Sequence, residues 1–228
     1  MLALRSFRRL RALLDFGTRR VRTELRRLPP LPRPAARVLD LGSGEAPYAS
    51  LFPHERYVTA DLQSDADVRC DATTLPFAAS AFDLVICTEM LEHVPDPDTT
   101  LQEIRRVLTD DGTLILATPL TWGVHAVWDY HRWTESGLRR LLAHHGFTVV
   151  ALRSRGGVFL TAATILLVVP WQVFGDSTER RWWQSALFAA AHAIVVPAAA
   201  LLAAFDRLDR RQHFTLGYVA LCRRNAAP

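Results

Sequence analysis

The chain has 228 residues, with 27 basic side chains against 23 acidic ones, a net charge of +4 and an isoelectric point near 9.4. Hydrophobic residues make up 50% of it, which excludes a disordered polypeptide and suffices for one α/β domain with an added element. Three dispersed cysteines, Cys70, Cys87 and Cys222, argue against a disulfide framework or a metal knuckle and point to a reducing cytoplasm.

Arginine supplies every basic residue other than histidine, a trace of coding bias rather than of phosphate recognition. Arg5, Arg8, Arg9, Arg11, Arg19, Arg20, Arg22, Arg26 and Arg27 crowd the start, opposed only by Asp15 and Glu24. Leu2, Phe7, Leu10, Leu14, Val21, Leu25 and Leu28 recur at near-helical spacing, so one or two basic amphipathic helices are expected over 2–28. Two readings stand for them: contact with anionic lipid, or packing over a ligand cleft with the arginines in water. The leader lacks the pattern of a signal peptide. It also lacks the aromatic interleaving of a nucleic-acid module, and no nucleic-acid partner is expected. The proline run Leu28-Pro29-Pro30-Leu31-Pro32-Arg33-Pro34 reads as a stiff linker, dividing a segment 1–34 from a domain over 35–228.

That domain opens on Val38-Leu39-Asp40-Leu41-Gly42-Ser43-Gly44, a buried strand running into a glycine turn with an acid at its lip. Two glycines one residue apart let the backbone turn sharply and approach a ligand. Pro47 stands where a dinucleotide fingerprint needs its third glycine, and Asp40 would repel a pyrophosphate, so a cationic or phosphate-free nucleoside suits the turn better. About twenty residues on, Tyr57-Val58-Thr59-Ala60-Asp61 is a second short strand ending in an acid placed to take ribose hydroxyls. A third acid follows in Cys70-Asp71-Ala72. The run Phe82-Asp83-Leu84-Val85-Ile86-Cys87-Thr88 then reads as a buried parallel strand and leads into Glu89-Met90-Leu91-Glu92-His93-Val94-Pro95-Asp96-Pro97.

This order of motifs resembles the class I S-adenosylmethionine-dependent methyltransferases, above all the type 11 branch with its quinone-biosynthesis enzymes, over 37–150 and again from about 214. The resemblance implies S-adenosylmethionine as cofactor. Asp40, Gly42, Ser43 and Gly44 would line its methionine and ribose side, Asp61 would hold the ribose hydroxyls, Asp71 with Ala72 would meet the adenine edge, and Thr88 with Glu89 would close the pocket near the sulfonium. A sulfonium cation tolerates carboxylates that would expel a pyrophosphate.

Downstream, Thr100 with Glu103 fits a capping box for a helix through 108, and Asp110-Asp111-Gly112 a turn into a strand over 113–117. Thr134 is a cap for a helix through 145 that exits at Gly146 into a strand over 147–152. The alternation predicts an α/β fold, a mostly parallel, Rossmann-like, seven-stranded sheet with flanking helices.

Between these elements, Trp128-Asp129-Tyr130-His131-Arg132-Trp133-Thr134 resembles the type 11 pattern H-D-Y-x-R-[FW]-T, with Trp128 in place of its histidine. By that resemblance Trp122, Trp128 and Arg132 are candidate acceptor-binding residues, and His131, Tyr130 and His125 candidate catalytic ones. The structural alternative is that Arg132 braces the loop and the aromatics pack beneath it. Glu89, Glu92 and His93 also match the ligand spacing of metal-dependent RNA methyltransferases, but at a helix start such residues serve more often as caps, and no metal is expected.

The last informative region is apolar. No charged residue occurs from 156 to 175, and only the ionisable His192 interrupts 182–205. Each stretch has about the length needed to cross a bilayer. A polar turn over 176–181 lies between them, flanked by Trp171, Phe174, Trp182 and Trp183, with Arg153, Arg155, Arg207, Arg210 and Arg211 at the opposite ends. The pattern predicts a hydrophobic helical hairpin over 157–211, inserted before a final strand over 213–222. Pro170 and Pro197 favour a re-entrant or in-plane hairpin as much as a crossing. The expected function is methyl transfer to a small or lipid-linked acceptor by an enzyme at the inner face of the membrane. The alternatives are a soluble aromatic or polyketide acceptor under a hydrophobic lid or dimer interface, and a non-catalytic membrane scaffold with a methyltransferase fold.

Overall fold

The computed structural model describes residues 16–31, 35–124, 126–174 and 181–225. The leader before residue 16, part of the proline linker, His125 and most of the polar turn at 175–180 lie outside the described residues. Contacts divide the chain into two compact units, Val21–Arg153 with the stretch from Gly217 onward, and Ser154–Leu216 with the residues up to Arg20.

The first unit holds seven strands, β1 (Arg37–Leu41), β2 (Arg56–Asp61), β3 (Val68–Arg69), β4 (Phe82–Thr88), β5 (Leu108–Pro119), β6 (Phe147–Ser154) and β7 (Gly217–Arg224), in the order β3-β2-β1-β4-β5-β7-β6. The recorded pairs are parallel, except that β7 runs antiparallel to β5. This is the Rossmann-like sheet expected. Its central strands read as continuous apolar runs because both faces are covered. Leu39, Leu41, Val85, Cys87, Leu114 and Leu116 pack on one face with Leu101 and Ile104 of helix α2 (Pro97–Val107) and Leu138 and Leu142 of helix α3 (Glu135–His144). Val38, Leu84, Ile86, Ile115 and Val219 pack on the other with Val21 and Leu25 of helix α1 (Phe16–Leu25). These two leader residues pack in the core, with Val21 fully buried. Glu24 is buried beside them and paired with Arg27 and Arg153 at 3.0 Å each.

Several boundaries differ from expectation. Helix α2 begins a turn before the supposed Thr100–Glu103 box: Asp96 accepts from the Thr99 amide at 3.0 Å and Pro97 occupies the first turn, where its missing N–H costs nothing. Thr100 is buried inside the helix and donates to the Asp96 carbonyl, while Glu103 is held by Arg106 and the Leu75 amide. The turn at Asp110–Gly112 lies within β5, as an irregularity where β4 passes from Phe82 to Leu84 while β5 passes from Leu108 to Thr113. Strand β6 runs two residues further, to Ser154, and β7 begins at Gly217 rather than 213. Thr134 caps α3 as expected, accepting from the Gly137 amide at 3.2 Å.

The second unit is the hairpin, with helices α4 (Val158–Phe174) and α5 (Trp182–Phe205) preceding the last strand. Ala163, Leu167 and Ala199 are buried between them. The Asp206 carboxylate at the end of α5 accepts from the amides of Gly157 (2.9 Å) and Leu160 (2.8 Å) at the start of α4, and pairs with Arg20 at 3.2 Å.

Candidate functional site

Register builds the site. Leu41 stands level with Ala60 on β2 and Cys87 on β4, so the turns after all three strands leave from one edge of the sheet. Between β1 and β4 the chain order reverses, the switch point at which open α/β sheets bind ligands.

At that edge Gly42 and Gly44 hold left-handed backbone, φ +70° and +52°. The Gly42 amide bonds the Ala60 carbonyl at 2.8 Å, tying the turn to β2. A Cβ on Gly42 would lie 2.3 Å from Cγ of Met90, so the turn closes directly against the residue after Glu89. Around Gly44 nothing lies within 4 Å of such an atom, which leaves that side open for close approach by a ligand. Between the glycines, Ser43 is buried and its Oγ has no hydrogen-bond partner, a polar atom suited to one from a ligand.

Asp61 closes the far side. Its Oδ2 accepts from the Gly44 amide at 3.1 Å, and its Oδ1 from Gln63 (2.7 Å) and Ser64 (3.0 Å). Partial burial pushes this carboxyl up, but the amides of Gln63, Ser64 and Gly44 outweigh burial and hold it below the usual range. Three of about four acceptor positions are thus taken, leaving one for a ligand hydroxyl. Asp40 is the opposite case. Burial raises its pKa to about 6 against the pull of a 2.6 Å hydrogen bond from the Tyr57 hydroxyl, and the charge of Asp61 adds to the rise. Asp71 bonds the amide (2.9 Å) and hydroxyl (2.8 Å) of Thr73, fixing the turn after β3, and Ala72 packs against the core beside it. Thr88 ends β4 buried, and Glu89 follows in left-handed backbone, φ +52°, with its amide on the Ala117 carbonyl at 2.9 Å.

The loop after β5 is tied to the turn after β4. The Glu92 carbonyl accepts from the amides of Tyr130 (2.9 Å) and His131 (3.3 Å), and the His93 imidazole bonds the Trp128 carbonyl. Arg132 pairs with Asp129 and donates to the carbonyls of His131 (2.7 Å) and Gly123 (3.4 Å), which is the bracing arrangement. Trp122, Trp128 and Tyr130 are exposed. His131 stacks on Trp133 with centroids 5.3 Å apart, and its Nε2 is buried without a hydrogen-bond partner. The candidates on either side of the switch point therefore come to one edge. Among the described residues no three His, Cys, Asp or Glu side chains group to hold a metal, Glu89, Glu92 and His93 included.

Sequence reasoning missed Tyr57, Met90 and Asp129 as parts of the site. Tyr57 lies opposite Val38 while Thr59 lies opposite Asp40, so the phenol reaches the carboxylate diagonally across the pair. That contact is legible only once the register is known.

A family model described as a methyltransferase domain matches residues 7–152. A stretch of 81 residues is 33% identical to a ubiquinone biosynthesis O-methyltransferase of Pectobacterium atrosepticum, covering 35% of this chain and 32% of that one. An uncharacterized methyltransferase of Mycobacterium sp. (strain JLS) is 25% identical over 176 residues, 66% of this chain and 69% of that one. Matches to the ubiquinone-biosynthesis relatives span about a third or less of those proteins. Among solved structures, the Burkholderia thailandensis 1,6-didemethyltoxoflavin-N1-methyltransferase, with bound 1,6-didemethyltoxoflavin and S-adenosylhomocysteine, superposes with a TM-score of 0.51 at 21% identity, covering 90% of this chain and 76% of that one. At that identity the likeness establishes the fold alone.

Proposed function

The chain belongs to the methyltransferase-domain family, and from that premise we propose that it transfers a methyl group from S-adenosylmethionine to a small or lipid-linked acceptor met at the cytoplasmic face of the membrane. The observation that carries the reading is the open side of Gly44 between the unpartnered Ser43 Oγ and the ionised Asp61. An edge lined by Asp40, Asp61 and Asp71 repels phosphates and welcomes a cationic nucleoside.

When bound, the cofactor supplies a methyl group activated by its sulfonium charge. Asp61 directs its remaining acceptor position to a ribose hydroxyl. The Asp71–Ala72 turn borders the adenine edge. Asp40 and Ser43 serve the methionine end, with Thr88 and Glu89 at the neighbouring strand end. Tyr130 and His131 face the acceptor, and the unpartnered Nε2 of His131 takes a proton where the attacking atom carries one. Arg132 holds the loop that presents both. The three free cysteines are in keeping with the reducing compartment, and the lipid-linked acceptor with the exposed apolar helices that precede β7.

Isothermal titration with S-adenosylmethionine and, separately, NADH tests the cofactor: micromolar binding of the first alone is expected, and its loss in Asp61→Ala supports the site. Binding unchanged by that substitution sinks the assignment. With labelled methyl donor and lipid extracts, His131→Ala is expected to slow transfer by about 10²–10⁴ at unaltered cofactor affinity.

A further inference from the structure

The hairpin helices are apolar on the outside as well as inside, which is unusual for a protein in water. On α4 the exposed positions are Val158, Ala162, Ile165, Val169, Gln172 and Val173, a stripe at helical spacing that is apolar except for Gln172, and Thr161 and Thr164 are buried together with Leu160, Ala163 and Leu167. Thr164 donates back to the Leu160 carbonyl at 2.8 Å, so its hydroxyl asks nothing of solvent. On α5, Leu187, Ile194 and Leu201 are more than half exposed, while His192 turns its Nδ1 to the Phe188 carbonyl at 3.0 Å. The two helices meet through Ala163 and Ala199, small side chains of the kind that let helices approach closely in lipid. A helix at the surface of a protein in water turns a polar face outward.

We propose that this unit is a lipid-inserted hairpin whose partner is an anionic bilayer. Three further observations choose that occupant. Helix α5 has 24 residues without a charge, about 36 Å of helix against a hydrocarbon layer of about 30 Å. The base of the hairpin sorts its charges. Asp206 is buried on the amides of Gly157 and Leu160 and paired with Arg20, and Asp209 bonds the amides of Val158 (2.8 Å), Arg211 (3.1 Å) and Gln212 (3.0 Å), so both acids are taken up within the unit. Arg207, Arg210 and Arg211 stay exposed, interleaved with exposed Leu208 and Phe214, a mixture suited to headgroups above and acyl chains below. At the other end of α5, Trp182 and Trp183 are exposed where an interfacial aromatic belt belongs. The carboxylate clasp returns both ends of the hairpin to the same leaflet. The inference deepens the proposed function by naming the partner, and rests on that reading only for its purpose.

The test is flotation of the full chain with phosphatidylcholine vesicles, with and without phosphatidylglycerol, read beside titration with S-adenosylmethionine. The chain is expected to float, and more completely with phosphatidylglycerol. Replacing Arg207, Arg210 and Arg211 by Gln is expected to weaken binding to the anionic vesicles on the order of a hundredfold, about fivefold per arginine, with little change on the neutral ones. Ile165→Arg with Ile194→Arg should abolish flotation on both. If that double variant misfolds, the arginine series and quenching of Trp182 and Trp183 by brominated lipid decide the matter alone. A chain that does not float and is a dimer by light scattering overturns the proposal in favour of a contact between copies, and a non-floating monomer overturns it in favour of cover by residues 1–15. Flotation indifferent to phosphatidylglycerol and to the arginines overturns the anionic bilayer. Flotation without cofactor binding strikes the proposed function and leaves this inference standing.

Discussion

In the sheet unit Ile86 is fully buried and the acids gather at strand ends; in the hairpin unit Ile165 and Ile194 are 52% and 73% exposed, while Thr161 and Thr164 are buried. The two units thus present opposite surfaces. Apolar burial stabilises the sheet because water is what it leaves. The hairpin keeps an apolar stripe outward, Thr164 bonds back to its own helix and Asp206 takes up the amides at the start of α4, an arrangement in keeping with the proposed lipid setting. Hydrophobic content alone cannot separate these cases. The exposure of the large apolar side chains does.

The largest expected effect probes the sheet. Ile86→Ala opens a cavity between sheet and α1 and should cost about 2–5 kcal/mol in urea unfolding of the sheet. Next is the pH dependence of Asp40. Unfolded, the group titrates near 3.9, and folded at about 6, so between these values the folded state keeps a proton that the unfolded chain releases. Its contribution to stability is therefore greatest at low pH, falls as pH rises from about 4 to about 6, and leaves a deficit on the order of 3 kcal/mol above that window. Unfolding of Asp40→Asn across this range should lack that slope. Because a cationic ligand favours the ionised form, cofactor affinity should rise with pH through the same window, more for S-adenosylmethionine than for its uncharged product, by titration calorimetry.

Asp206→Ala comes third. It strips the amides of Gly157 and Leu160 of a charged acceptor and should cost about 2 kcal/mol locally, read as faster amide exchange in the first turn of α4 with the sheet unchanged. The smallest effect sharpens the contrast. Ile165→Ala, an isoleucine truncation like the first, should shift stability in detergent-free buffer by no more than about 0.5 kcal/mol. A cost matching that of Ile86→Ala would mean that the stripe is covered, and the comparison would fail.

How much of this was legible in the sequence depended on whether the physics was local. The glycine turn, the acids after β1, β2 and β3, and the charge-free helices are each written in consecutive residues. The start of α2 was not, because Thr100 with Glu103 and Asp96 with Pro97 are rival caps four residues apart, and the rigid φ of proline decides for the earlier one. Likewise Arg132 pairs with Asp129 across a loop whose shape no periodicity describes, and Tyr57 reaches Asp40 only through strand register. The hairpin was half legible: its composition announced an apolar surface, but which residues face outward required the packed pair.

The strand order also dictates a sequence of events in synthesis. Strand β6 joins the sheet only through β7, and β7 is the last strand to be made, after both hairpin helices. While α4 and α5 emerge from the ribosome the sheet ends at β5, and β6 waits without a neighbour. The hairpin is therefore complete before the sheet can be. Removing the chain from residue 217 onward would for the same reason cost the sheet two strands rather than one.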